Sequence, residues 1–375
     1  MSLRRVFLSA VRGTLSCFGI AVMRSAQLRQ LRIDADLLRA RSAASRSAGA
    51  NLPDGAGEES NGVPIGKSPK RHAIGGEDRP YWPARFRFPS LPGLDDFARS
   101  VRIVDVGAEP LEFEDDIYAP LLEDGWCEIV GFDPFVDAPR SEDVKGENGT
   151  VRARRLILPF FIGDGGEARF HVNASTPTSS LLPTNEALAA QFTSLAEMCR
   201  TKRELPVRTM RLDDVREIGR CDFLKVDVQG GDHDVVAFGS RLLEDTLFVH
   251  IEVEFAPLYV NQKLFADIDI LLRERGFELT DLVKLGWNNY KTLPSALLRS
   301  RLLWADAIYM KDPGHLAKRD PRLLLRAAFI AHANYRKYDL AAHLISLHDE
   351  TTGLDCLKTY IGQLSGQVRS GISRA

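Results

Sequence analysis

The sequence predicts an α/β protein built on a mostly parallel seven-stranded sheet with an antiparallel last strand, followed by C-terminal helices. Three observations lead to this prediction. Short, nearly continuous apolar runs alternate with helical patterns, which is typical of a parallel sheet covered on both faces. The last two apolar runs follow each other without a good helix between them, as the strands of an antiparallel pair do. After Pro313 the pattern becomes fully helical.

Seven apolar runs are predicted strands. They cover residues 101–106, 128–132, 155–161, 223–228, 247–255, 276–286 and 302–312. The clearest helix follows the fifth strand, because four apolar residues recur there on one helical face. These residues are Leu264, Ile268, Leu271 and Leu272. Gly276 is then expected to end this helix as its C-cap.

Composition narrows the class of protein. The 375 residues are 44% hydrophobic and 27% charged, as in soluble globular proteins. The formal net charge of −2 gives no reason to expect a nucleic-acid partner. Five cysteines lie far apart without a CxxC pair, which argues against structural zinc and a disulfide framework. We therefore expect a cytoplasmic protein, and the spacing of the histidines predicts no metal site.

Four regions are expected along the chain: a basic amphipathic segment (1–40), a linker and extended arm (41–93), the α/β domain (94–312) and a helical extension (313–375). Three alternatives stay open for the first segment. It forms a helix that packs on the domain or stays mobile, it lies on a membrane surface, or it is a transit peptide. Arg12 interrupts its apolar run, which is too short to span a membrane.

The linker and the C-terminal extension differ in composition. Residues 41–80 are rich in Ser, Ala, Gly and Pro, and they cannot bury enough apolar surface to offset the entropy of ordering. Aromatic residues separated by prolines over residues 79–93 predict an extended arm laid against the domain. The C-terminal pattern predicts two or three short helices, which either cap the domain or form a homodimer contact.

The loop after the first strand carries only part of a nucleotide-binding pattern. Asp105 ends the strand, and Gly107 with Ala108 turns the chain. Glu109 then stands where a G-x-G-x-x-G loop has more glycines, so a pyrophosphate would lack its cradle and meet a like charge. A cationic nucleoside without phosphate suits this loop better. S-adenosylmethionine, a ribonucleoside with a sulfonium centre, is therefore the expected cofactor.

Polar residues stand at the carboxyl ends of the predicted strands, where ligands bind in open α/β sheets. Asp133 ends the second strand, at a spacing that suits a carboxylate holding a ribose diol. The third strand is followed by Gly163 and Asp164, and the fourth and fifth end in further carboxylates. Six residues on the predicted fourth and fifth strands have an alternative interpretation. The polar faces of these two strands would pair with each other and have no role in binding or catalysis. The six residues are Lys225, Asp227, Gln229, His250, Glu252 and Glu254.

Several motifs, taken in order, resemble the FkbM family of methyltransferases. They are "IVDVGAEPLE", "IVGFDP", "VRTMRLDDV", "HIEVEFAPLY", "LLRERGFEL", "LLWADAIYMKD" and, most specific, "DFLKVDVQGGDHDVV". The sequence departs from the family at Gly231–Asp232, where Ser or Ala followed by Glu is commoner. The resemblance covers residues 101–312 and implies a Rossmann-like class I methyltransferase fold. It also implies methyl transfer from S-adenosylmethionine to a hydroxyl of a sugar, glycan or natural-product acceptor.

The resemblance, together with the charge of the first loop and the need for a base, implies roles for individual residues. Those expected to bind the cofactor are Asp105, Gly107, Ala108, Glu109, Asp133, Gly163, Asp164 and Gln229. Within that set Asp133 holds the ribose, Asp164 with Gly163 lies at the adenine edge, and Gln229 lies with Asp227 between the methionine end and the acceptor. The candidates for the base that takes the acceptor's proton are Asp227, His233 and Glu254.

The loop of residues 172–188 is small and polar, and it has two interpretations. It forms the acceptor-side wall, with Thr178, Ser179 and Ser180 bonding hydroxyls, or it is an ordinary solvent loop. Two other functions compete with methyl transfer. One is a non-catalytic relative that binds the nucleoside and acts as a scaffold through its terminal helices. The other, a nicotinamide-dependent oxidoreductase, is disfavoured because the phosphate loop is absent.

Overall fold

A computed structural model describes residues 85–107, 117–145, 149–293 and 300–372. The predicted N-terminal segment, most of the linker, Ala108 and Glu109 lie outside these described residues. Within the described ranges, no helix is both long enough and apolar enough to cross a membrane.

The described chain forms eleven strands, and eight of them make one large sheet. The strands are β1 (Ser100–Val106), β2 (Trp126–Phe132), β3 (Arg140–Lys145), β4 (Val151–Leu158), β5 (Phe161–Ile162), β6 (Glu167–Asn173), β7 (Thr201–Met210), β8 (Phe223–Val226), β9 (Phe248–Glu254), β10 (Phe277–Asn288) and β11 (Arg301–Lys311). The order of the large sheet is β10-β11-β9-β8-β1-β2-β4-β3, and a small sheet has the order β5-β7-β6.

The strand directions confirm the predicted fold class. β4, β2, β1, β8 and β9 are parallel neighbours. β11 lies between β9 and β10 and is antiparallel to both. The prediction of a mostly parallel sheet that finishes in an antiparallel pair is therefore confirmed. The count of seven strands is wrong, since the large sheet has eight.

The strands that the sequence did not predict are mostly polar. β3 is an edge strand with almost every residue exposed, so it has no apolar run to reveal it. The predicted third strand, residues 155–161, is divided by Pro159, which cannot donate to a strand ladder. Its first part belongs to β4, and its end begins the small sheet as β5. β6 and β7 of that sheet are also half exposed and were not predicted.

Eleven α-helices complete the described fold. They are α1 (Asp95–Ala98), α2 (Ala119–Asp124), α3 (Glu186–Ala189), α4 (Leu195–Met198), α5 (Asp232–Ala237), α6 (Ser240–Asp245), α7 (Phe265–Glu274), α8 (Pro313–Arg319), α9 (Arg322–Ala333), α10 (Tyr338–Thr352) and α11 (Cys356–Ile372). α7 is the helix predicted after the fifth strand, and it buries Ile268 and Leu272. Gly276 follows it with a φ of +74°, as expected of a glycine beyond a helix end. Four helices follow Pro313 where two or three were predicted.

The large sheet is covered on both faces, as the apolar runs predict. Successive strand residues point to opposite faces, so Ile103 packs on one side and Val104 on the other. The first face is covered by α9 and α10, and all of α9 from Leu324 to Ala333 is buried. α5 and α7 cover the second face. The C-terminal helices therefore belong to the core, while the homodimer contact stays a prediction.

The described part of the arm packs on the same C-terminal helices. Phe88 is buried, with its ring centroid 5.3 Å from those of both Phe329 and His332. Gln367 of α11 both donates to and accepts from the backbone of Arg87, at 2.9 and 2.8 Å. One turn earlier Gln363 makes the same pair of bonds with the backbone of Ser90, at 3.1 and 3.0 Å. The arm thus gains backbone partners that an isolated extended segment lacks.

Candidate active site

A cleft opens at the carboxyl ends of β1, β2 and β8. The chain runs outward from β1 to β2 and β4 on one side, and from β8 to β9 on the other. The order of strands therefore reverses between β1 and β8, which is where open α/β sheets bind ligands. The cleft's walls include Gly107 after β1, residues 133–135 after β2 and residues 227–229 after β8.

Gly107 is fixed by both its conformation and its surroundings. Its φ is +91°, which side chains rarely adopt. A Cβ at this position would overlap the backbone carbonyl oxygen of Asp227. The two strand ends are that close because the Asp227 N–H donates to the Val106 carbonyl at 3.0 Å. Only glycine fits here. Because the ends of β1 and β8 lie so close together, the backbone of Gly107 itself forms part of the cleft wall.

Asp105 lies behind this wall in a buried ion pair. Its carboxylate is 3% exposed, accepts from the Tyr118 hydroxyl at 2.9 Å and lies 3.2 Å from the Lys225 ammonium. Lys225 also donates to the Gly107 carbonyl at 2.7 Å. Burial lowers the pKa of Lys225, but the Asp105 and Asp227 carboxylates outweigh it and the net shift is upward. Asp105 therefore acts on the loop through Lys225, and it is not among the residues that line the cleft.

Asp133 lines the cleft beside a group of aromatic rings. One carboxylate oxygen accepts from the backbone N–H of Phe135 at 2.9 Å, which fixes the turn after β2. Three phenylalanine rings with centroids 5.1 to 5.9 Å apart form the adjoining wall. They are Phe135, Phe161 and Phe170. A carboxylate next to a flat apolar wall suits a ligand that joins a diol to an aromatic base.

Gly163 and Asp164 lie in the turn that leaves β5, where they do not line the cleft. Asp164 is exposed, and it accepts from the Gly166 N–H at 2.8 Å and the Thr209 hydroxyl at 3.0 Å. These two hydrogen bonds lower the pKa of its carboxyl. Their placement at the adenine edge stays a prediction. The preceding residues Phe161 and Ile162 are the ones that reach the cleft.

The turn after β8 is held in an uncommon conformation by its own side chains. Gln229 has a φ of +56°, which costs about 1–3 kcal/mol for a residue other than glycine. Its amide nitrogen donates to Asp227 at 3.0 Å and to Glu252 at 2.7 Å. Its backbone carbonyl accepts from the Ser180 hydroxyl at 2.6 Å. These bonds offset the strain and aim Asp227 at the cleft.

The three candidate bases are placed very differently. Asp227 lines the cleft. His233 lies on α5 with Nδ1 3.1 Å from Asp234, and it is not among the cleft residues. Glu254 is 2% exposed and also lies off the cleft. Burial and then the Asp232 carboxylate raise its pKa well above the usual range. The geometry therefore favours Asp227, and its role as the base stays a prediction.

The loop of residues 172–188 forms part of the cleft wall, but the Thr178 and Ser180 hydroxyls already donate to other partners. Residues 176–178 make a short 3₁₀ turn, from which Thr176 and Pro177 face the cleft. Thr178 donates within the loop, and the Ser180 hydroxyl is used by Gln229. Ser179 lines the cleft and accepts from the Asn173 N–H at 3.1 Å, so its own O–H can still donate to a ligand.

The suggested pairing of the two polar strand faces holds for one pair. Gln229 does bond Glu252. His250 instead contacts Asp306 of β11 and Tyr335, both at 3.1 Å, and Lys225 pairs with Asp105 on β1.

Sequence reasoning missed Tyr118 and Tyr259, which contact this machinery from elsewhere in the chain. The Tyr259 hydroxyl lies 3.2 Å from the Gln229 side-chain carbonyl and 3.0 Å from the Thr178 carbonyl. No local pattern marks Tyr118, and Tyr259 ends the motif "HIEVEFAPLY" without a role predicted for it, whereas Lys225 shares a strand face with Asp227.

Two groups of side chains with metal-binding chemistry also come together, although no metal was predicted. One is Asp232, Glu252 and Glu254 below the Gln229 turn. The other is His348, Asp349 and Cys356, where His348 bonds Asp349 and Asp349 accepts from the Leu357 N–H. The residues of each group are far apart in the sequence or do not follow a known metal-ligand spacing. Only the folded structure shows that they lie together.

Comparisons with known proteins were made on the sequence and on the structure. Residues 105–279 match the family model of the methyltransferase FkbM domain. No curated protein matches the chain. One solved structure that aligns with it is magnesium protoporphyrin IX methyltransferase (ChlM) from Synechocystis PCC 6803 with bound SAM. That alignment covers 57% of this chain and 71% of the other at 14% identity, with a TM-score of 0.25. The fold class rests on the strand order of the large sheet.

Proposed function

We propose that this chain, which matches the methyltransferase FkbM domain over residues 105–279, uses S-adenosylmethionine to methylate a hydroxyl group of a small-molecule or glycan acceptor. A sugar or natural product is the class of acceptor that the family resemblance implies. One observation supports the proposal most strongly. The cleft at the switch point combines a glycine that brings the backbone of two strands close together, a carboxylate beside aromatic rings after β2, and a second carboxylate after β8.

The residues present fit the cofactor. Gly107 lets the ends of β1 and β8 lie close together at the cleft, because a Cβ there would overlap the Asp227 carbonyl oxygen. Asp133 would accept hydrogen bonds from the two ribose hydroxyls, and Phe135, Phe161 and Phe170 would contact the adenine ring. Asp133 and Asp227 also place negative charge along the cleft, which suits a cation and disfavours a pyrophosphate.

The chain's own contribution to methyl transfer is alignment and removal of a proton. When bound, S-adenosylmethionine supplies an electrophilic methyl group on a sulfonium. Holding an acceptor oxygen in line with that group is worth up to about 7–11 kcal/mol. The β8 turn provides rigid positioning because Gln229 is bonded on both its side chain and its backbone. Asp227 would take the hydroxyl proton as the oxygen attacks.

An isosteric substitution of Asp227 distinguishes a catalytic protein from a non-catalytic scaffold. Asp227→Asn keeps the shape of the turn, since an amide oxygen can still accept from Gln229. We expect transfer of labelled methyl to the acceptor to fall about 10²–10⁴-fold, with the Kd for S-adenosylhomocysteine changed only a few-fold. Asp234→Asn, an exposed neighbour on α5, serves as the control. Undiminished transfer by Asp227→Asn would remove Asp227 from the mechanism. Cofactor binding with no transfer to any hydroxylated acceptor would favour the scaffold.

Several predictions concern the location and the binding partners of the protein. A cytoplasmic location, the lack of a nucleic-acid partner and a homodimer through the C-terminal helices stay predictions. Peripheral membrane contact was assigned to residues 1–40, which lie outside the described residues. Cell fractionation of the full chain beside one that lacks residues 1–40 would test that contact.

A further inference from the structure

Three buried carboxylates meet below the β8 turn. Asp232 begins α5, and Glu252 and Glu254 lie at the end of β9. One oxygen from each lies within 4.8 Å of those from the other two. The three residues are 1%, 9% and 2% exposed. They are not among the cleft residues, so they form a separate feature beside the proposed active site.

The charge of this group has no cationic side chain to balance it. In the described part of the chain, no Lys, Arg or His forms an ion pair with any of the three. Asp232 instead accepts from the backbone N–H groups of Val228 at 3.0 Å and Gly230 at 2.9 Å. Glu252 accepts from the neutral amide of Gln229. Several buried carboxylates without a compensating charge are strongly unfavourable.

Glu254 supplies an independent sign that a ligand belongs here. Its Oε2 atom is buried and accepts no hydrogen bond from the described residues. The Gln262 amide faces the Glu254 carboxyl and lowers its pKa, yet among the residues that the structure describes neither Glu254 Oε2 nor the Gln262 amide nitrogen has a partner within hydrogen-bond distance and angle. Such unpartnered buried atoms are rare in native interiors, and the Glu254 carboxylate also contributes an oxygen to the group of three.

We propose that Asp232, Glu252 and Glu254 together bind one hard divalent cation, of the class of Mg²⁺, Mn²⁺ or Ca²⁺. Two oxygens that share such an ion lie no more than about 4–5 Å apart, since each metal–oxygen bond is about 2.0–2.6 Å. The observed spacing meets this limit. All-oxygen ligand sets are the ones that these cations prefer.

The position of the site gives the cation a structural consequence. Asp232 holds the backbone N–H groups on both sides of Gln229, and Glu252 holds its side chain. A cation that fixes these two carboxylates therefore fixes the turn that carries Asp227. Binding of the cation needs neither the cofactor nor the acceptor. It can therefore be tested independently of the proposed function.

The test is a titration of the full-length protein, freed of metal with a chelator, with Mn²⁺ followed by electron paramagnetic resonance. We expect one bound Mn²⁺ per chain, displaced by an excess of Mg²⁺ or Ca²⁺. Glu254→Gln is expected to weaken Mn²⁺ binding at least tenfold. Asp234→Asn removes an exposed acid from the same helix and is expected to leave the affinity unchanged.

Two results would overturn the site. One is wild-type protein that binds no Mn²⁺ at millimolar concentration, which would mean that the carboxyls hold protons instead. The other is unchanged affinity in Glu254→Gln. If Glu254→Gln does not fold, as judged by its circular dichroism, Glu252→Gln replaces it with the same expected loss. S-adenosylhomocysteine binding, measured on the same samples without metal, tests the proposed function independently.

Discussion

Replacing Gly107 by alanine tests the geometry on which the cleft depends. Two costs combine at this residue. Its φ of +91° costs an alanine about 1–2 kcal/mol. The new Cβ would also overlap the Asp227 carbonyl, so the ends of β1 and β8 must separate and break the bond from the Asp227 N–H to Val106. Loss of that bond costs about 1 kcal/mol more, and overpacking about 1–3 kcal/mol.

The total for Gly107→Ala is thus about 3–6 kcal/mol in the free energy of unfolding, measured by urea denaturation. Gly353→Ala is a matched control, because Gly353 has a φ of +75° but its Cβ would meet no atom within 4 Å. We expect it to lose only the conformational cost of about 1–2 kcal/mol. We also expect Gly107→Ala alone to lose S-adenosylhomocysteine binding. Equal destabilisation of the two variants, with cofactor binding kept in both, would refute the reasoning.

Two further predictions concern buried charge. Lys225→Met leaves the Asp105 carboxylate buried without its ion pair, which should lower the free energy of unfolding by about 3–5 kcal/mol. Adding Asp105→Asn should restore part of this loss. A double variant that is no more stable than Lys225→Met would contradict the prediction. His332 is buried, with Nε2 donating to the Phe86 carbonyl and Nδ1 2.8 Å from the Tyr360 hydroxyl oxygen, and burial lowers its pKa from 6.5 to about 4. The unfolded chain therefore binds the proton more readily, so stability is complete above pH 6.5 and falls by at most about 3 kcal/mol as the pH drops towards 4. Unfolding free energies between pH 7 and 4 should depend less on pH in His332→Gln, whereas the exposed control His343→Gln should match wild type. An unchanged pH dependence in His332→Gln would exclude His332 as the cause.

The fold was predictable wherever burial leaves a mark on the sequence. The central strands are covered on both faces, so they read as apolar runs with few interruptions. β3 and the small sheet escaped prediction because exposed strands need no apolar side chains. The boundary within residues 155–161 was also missed, although Pro159 marks it, because the apolar run continues across the proline into Phe161.

The candidate site was predictable only in part, for a related reason. Gly107, Asp133 and Asp227 directly follow buried strands, so strand order alone brings them to one edge of the sheet. What each side chain then touches depends on the register between strands. Asp105 lies near the end of β1, as predicted. Its carboxylate pairs with Lys225 of β8, however, and Asp105 does not line the cleft. Tyr259 reaches Gln229 from a loop after β9, which no spacing rule predicts.

The central claim is that this cleft binds S-adenosylmethionine, with Asp133 on the ribose. Calorimetric titration with S-adenosylhomocysteine tests it most directly, in wild type, in Asp133→Ala and in Asp137→Asn, an exposed acid of the same loop. Losing two hydrogen bonds to a charged group should cost about 3–4 kcal/mol, which raises the Kd of Asp133→Ala at least 100-fold. We expect Asp137→Asn to bind like wild type and NAD not to bind at all. Wild-type affinity in Asp133→Ala, or no binding of S-adenosylhomocysteine by wild type, would contradict the account.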